Sequence, residues 1–135
     1  MNPANVNWLA VLVSTISSFI IGALWYSPVL FGKVWAKVNN LTDNQIRAGN
    51  KAKIFGVSFL LTFFAAVNLG FFLADPSINA VNGTLYGFLT GFGWVLPAFG
   101  VVAMFELKSW TWILINGFYW VVSFTVMGLI FGVWK

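Results

Sequence analysis

Residues 110–133 read WTWILINGFYWVVSFTVMGLIFGV, and none of them is charged. A helix rises 1.5 Å per residue, so about 20 residues cross the roughly 30 Å hydrocarbon core of a bilayer. This stretch is long enough to cross, and three earlier ones read the same way. The first runs from about Val6 to Ser27 and stops at Pro28, whose ring disfavours helix in the residue before it. The second runs from about Ile54 to Leu73, closed by Ala74-Asp75-Pro76, and the third from about Thr84 to Phe105, with Pro97 inside it. The expected fold is all-α, an integral membrane four-helix bundle forming one membrane domain over residues 1–135.

Composition agrees with that reading. The chain is 60% hydrophobic, 19% aromatic and 7% charged, with a mean hydropathy of +0.89. A soluble domain carries about 25% charged residues because its surface faces water. Seven basic and three acidic residues cannot solvate a surface of this size, so lipid is the expected solvent. The net charge of +4 has no dense Lys/Arg run with which to track phosphates, so no nucleic-acid partner is expected. The chain has no Cys and no His, which excludes disulfides, thiolate chemistry, haem and nearly all zinc sites. No metal or cofactor is expected. The first apolar segment lacks the basic flank of a signal peptide and exceeds its usual length, so it reads as a retained helix.

Between the first two spans lies a polar stretch, Gly32 to Lys53. Thr42 and Gln45 have capping-box spacing, which predicts a short amphipathic helix from Asp43 to about Lys51. Ile46 alone gives it an apolar face, so it belongs near the headgroups. Lys33, Lys37, Arg47, Lys51 and Lys53 lie in this first loop and Lys108 in the third, whereas only Lys135 falls on the other side. The positive-inside rule then puts both loops in the cytoplasm and both termini outside it.

Five features are candidates for function. Gly83, Gly87 and Gly91 lie four apart on one face of the third span, and Gly128 with Gly132 repeats the device on the fourth. Such faces let backbones approach closely, within one bundle or between subunits of a homo-oligomer. Polar residues at membrane depth form the second set: Ser14, Ser17, Ser18, Thr62, Asn68, Thr90, Asn116 and Ser123. Asn68 and Asn116 matter most, because an amide in lipid must find a partner. Facing each other in a dry bundle they are interhelical bonds; lining a cavity with Ser17 and Ser18 they suggest a small channel or transporter. Glu106, near Lys108, is the best-placed carboxylate, but it sits at a span end and reads as a solvated interface residue. Trp94 and Trp120 lie deeper than the other tryptophans, and their indole N–H groups need acceptors.

The densest feature is Gly22-Ala-Leu-Trp25-Tyr26-Ser27-Pro28-Val-Leu-Phe31-Gly32-Lys33-Val-Trp35. Pro28 stops the helix, and the freed carbonyls need donors such as Ser27, Tyr26 or water. A tight anchoring turn is the leading reading, and an unwound ligand-facing segment the other. This segment, the opening Asn2-Pro3-Ala-Asn5-Val-Asn7-Trp8, Leu41-Thr42 and Ile54-Phe-Gly-Val-Ser-Phe-Leu together resemble the bacterial membrane family called domain of unknown function 1761. The resemblance covers essentially the whole chain. It implies a small four-span protein of the bacterial inner membrane and no reaction. With no His, no Cys and no two carboxylates expected close together, the residues suggest no acid–base pair and no activated nucleophile. The leading expectation is a structural or interaction protein acting as a homo-oligomer.

Overall fold

A computed structural model describes residues 2–135. Helix is the only regular secondary structure among them, and four helices are long and apolar enough to cross a bilayer. In chain order the α-helices are α1 (Trp8–Trp25), α2 (Gly32–Val38), α3 (Asp43–Ala48), α4 (Lys51–Leu73), α5 (Ala80–Thr90), α6 (Leu96–Phe105) and α7 (Trp110–Val133). α5 and α6 are joined by a π-helical turn, Gly91–Val95, so that Ala80–Phe105 forms one span.

Local chemistry sets the helix ends. Asn7, Asn50, Asn79 and Ser109 each accept a backbone N–H three residues on, at 3.0–3.1 Å, satisfying an orphan donor of the first turn. These caps move the expected limits. α1 is shorter than the apolar run, because Asn7 caps it at Trp8 and the turn before Pro28 ends it at Trp25. α4 begins at Lys51 and the third span at Ala80, ahead of their apolar runs. The capping box at Thr42 and Gln45 is present, but its helix ends at Ala48, and the Asn50 cap gives Lys51 to α4. α2 lies where the sequence suggested only a turn, and it ends with Asn40 in the left-handed region, which asparagine tolerates.

Pro97 makes the span irregular at this point. Proline has no N–H to give the Gly93 carbonyl, and its ring would collide with that carbonyl in a regular helix. The Leu96 N–H instead reaches back five residues to Gly91 O.

α7 is the centre of the molecule, with α1, α4, α5 and α6 packed on it and α2 touching it. Its interior has two halves. Near the chain termini Val6, Ala10, Val11, Ala66, Leu69, Leu73, Phe124, Met127 and Phe131 form an apolar core. Toward the end that carries Lys33–Lys53 and Lys108, the basic end, polar and aromatic side chains take over.

Candidate functional site: a polar and aromatic cluster at the basic end

The turn after α1 builds this cluster. Phe31 N–H donates to Trp25 O at 3.0 Å, and Leu30 and Gly32 N–H both donate to Ser27 O at 3.1 and 2.9 Å. Ser27 Oγ donates to Leu24 O at 2.7 Å, so the carbonyls freed ahead of Pro28 are satisfied within the turn. A Cβ on Gly32 would run into Tyr26 O and the Ser27 carbonyl, so the turn closes only on glycine.

Closure directs two aromatic side chains at α7. Trp25 Nε1 donates to Ile115 O at 2.9 Å, and Tyr26 Oη donates to Asn116 Oδ1 at 2.8 Å. Asn116 Nδ2 in turn donates to Trp112 O at 3.1 Å. Trp112 Nε1 donates to Asn39 Oδ1 at 3.2 Å, and Asn39 Nδ2 to Trp35 O at 2.8 Å, tying the loop to α7. The Tyr26 ring packs edge-on against Trp35 and Tyr119, with centroids 5.7 and 5.4 Å apart. Tyr119 Oη donates to Ser18 O at 2.8 Å, over Gly22, where a Cβ would come within 3.3 Å of it. Amides, phenols and indoles of this kind fix geometry by hydrogen bonding. They supply no carboxylate, imidazole or amine at the cluster.

Above Tyr119 the seam between α1 and α7 stays polar. Ser14, Ser18 and Ser123 are fully buried, and their hydroxyls have no hydrogen-bond partner among the described residues. Ser17 is half-buried and donates to Ser14 O at 2.7 Å.

Asn68 and Asn116 are not brought together. Asn116 lies about 9 Å from the start of α7 and Asn68 about 26 Å along α4 from the same end, at 1.5 Å per residue. Asn68 is exposed on α4 and donates to Phe64 O at 2.8 Å. Within one chain, then, these amides and the Ser17/Ser18 pair line no common path. Glu106 is exposed at the end of α6, in a turn that Leu107 completes with φ 57°. Trp94 departs from expectation: it is 72% exposed, and its indole N–H has no acceptor among the described residues.

The glycine face of the third span is used inside the chain. Gly83 and Gly87 pack against Phe124, Gly128 and Gly132 of α7, and Gly91 would place a Cβ 2.6 Å from Val121 Cα. No such approach would be open to bulkier residues.

At the opposite end, the Asp75 carboxyl is held below its ordinary range chiefly by the Ser77 hydroxyl and N–H, at 2.7 and 2.8 Å. Lys135 Nζ donates to Leu73 O at 2.9 Å, and partial desolvation lowers its pKa.

Sequence reasoning missed Tyr119 and Asn39, and it placed Trp35 in the dense segment without a partner. A signal for Tyr119 was present: Trp112, Asn116, Tyr119 and Ser123 are spaced four, three and four, which places them on one face of α7. No local pattern marks Asn39, and the contacts of both Trp35 and Asn39 depend on the turn before α2.

No curated protein and no solved structure matches the chain. One family model matches residues 9–132, a range that takes in the whole site, from Ser14 through the turn at Pro28 to Ser123. With its four apolar spans and this match, the chain belongs to the family described as protein of unknown function, DUF1761.

Proposed function

We propose that this protein is a non-catalytic interaction component of the bacterial inner membrane, working as a homo-oligomer with both termini outside the cytoplasm. The observation that carries the reading is the third span. Of its most apolar stretch 11% is buried, against 44% for α7, and its interhelical packing is concentrated on α7. The rest of its surface is free for a partner, including Gly93 and Gly100, where an added Cβ would meet nothing within 4 Å. Helices in lipid associate by close van der Waals packing at small residues, and these two glycines offer it. The orientation rests on the Lys/Arg asymmetry, and the absence of an enzymatic role on a sequence without His or Cys and with three carboxylates.

Because the chain has no cysteine, single-cysteine variants report without background. Oxidation of Gly93→Cys or Gly100→Cys in native membranes is expected to give a disulfide-linked dimer, whereas Leu60→Cys on the lipid-facing side of α4 is not. A monomer in lipid nanodiscs, with no cross-link from either third-span position, would overturn the homo-oligomer.

A further inference from the structure

α4 and the third span diverge on one side of α7 and leave a groove of about 580 Å³, floored by Phe124 and Val95. Asn68 and Phe72 form one wall, Tyr86 and Trp94 the other, and all four are exposed. No charged residue lines it. Tyr86 lies about 9 Å from the Ala80 end of its span and Trp94 about 21 Å, so the groove runs from the terminal end to about mid-bilayer. Its depth is that of one leaflet.

We propose that this groove holds one acyl chain of a phospholipid from the leaflet at the terminal end. The polar groups are distributed as that occupant requires. Asn68, which lines the groove, uses one amide N–H on Phe64 O, and its second N–H and Oδ1 have no partner among the described residues. Tyr86 Oη has no partner among the described residues, and Thr90 already donates to Tyr86 O at 2.8 Å. Unpaired donors at membrane depth are costly, and a lipid ester carbonyl is an acceptor that can reach them. These donors sit in the upper part of the groove, where the ester groups of an inserted lipid come closest. The deep end is apolar and the Trp94 face lies along it. At the mouth, Lys135 Nζ on Leu73 O and the exposed Asp75 bring one cation and one anion beside the position of a headgroup.

The volume of the groove falls within the 300–1,000 Å³ usual for small-molecule sites.

The test is native mass spectrometry of the full chain, extracted in mild detergent from vesicles of equal parts phosphatidylethanolamine and phosphatidylglycerol. One phospholipid retained per chain is expected. Asn68→Leu, at an exposed position that leaves the helix packing intact, is expected to lower retention about 3- to 18-fold, the range of one intramembrane hydrogen bond. Ala65→Phe, which fills the groove, should abolish it, and Leu60→Phe on open lipid-facing surface should leave it unchanged. Wild type emerging without lipid, or equal retention in all three variants, would overturn the proposal. So would a lipid-free dimer that Ala65→Phe dissociates, because that result assigns the groove to a second copy.

Discussion

Tyr26 and Gly32 act together although they lie on either side of the turn. Gly32 allows the chain to fold back over the Tyr26 carbonyl, and the folded turn aims the Tyr26 hydroxyl at Asn116 Oδ1. Gly32→Ala is therefore expected to cost about 1–3 kcal/mol, the usual penalty of forcing an extra carbon into filled space. Reversible unfolding in mixed detergent measures it. Tyr26→Phe removes only the hydroxyl and is expected to cost about 0.6–1.7 kcal/mol, as intramembrane hydrogen bonds do. Asn116→Leu should lose a similar amount, and the double variant less than the sum, since both remove one bond. A fully additive double variant would show that the two residues do not act on each other. The Asp75 carboxyl responds to pH in a defined direction. Its pKa is depressed by Ser77, so its stabilising contribution is complete above the unfolded value and is lost as pH falls through the folded one. Ser77→Ala is expected to move that titration upward, observable in the Asp75 side-chain carbon resonance.

Among the helices, the pairing of α5 with α7 depends most on particular side chains being absent. Gly87 and Gly128 each leave room for the facing helix, and Gly87→Leu would drive a side chain into the Phe124 carbonyl. A loss of more than about 3 kcal/mol is expected, the level at which a packing clash dominates. Gly56→Leu on α4, where an added Cβ meets nothing within 4 Å, should change stability by less than about 0.5 kcal/mol. Parallel denaturation of the two variants separates a packing clash from a general intolerance of bulk. The third span was legible as a span from its apolar length, but its π-turn was not. Pro97 announced an irregularity; whether it becomes a kink, a break or a π-turn depends on how α7 holds Gly91 and Val95.

For the molecule as a whole, orientation is open to direct measurement. An impermeant maleimide added to intact cells is expected to label Ser77→Cys and not Asn44→Cys, with the reverse in inverted vesicles. Labelling of both from one side would overturn the orientation read from Lys33 to Lys53. Four apolar helices with a polar, basic connection after the first can be read from the order of residues alone. Apolar length, the capping box at Thr42 and Gln45, and the distribution of Lys and Arg are local properties, so they can be read without the fold. The closing of the α5 glycine face on α7, the different depths of Asn68 and Asn116, and the groove between α4 and the third span emerge only when the helices pack. The reason is the solvent. In water a helix marks its buried face by the contrast between apolar and polar residues, whereas in lipid both faces are apolar and the contrast disappears. Which faces meet is then set by shape, through glycines, serines and aromatic rings whose partners lie far away in the chain.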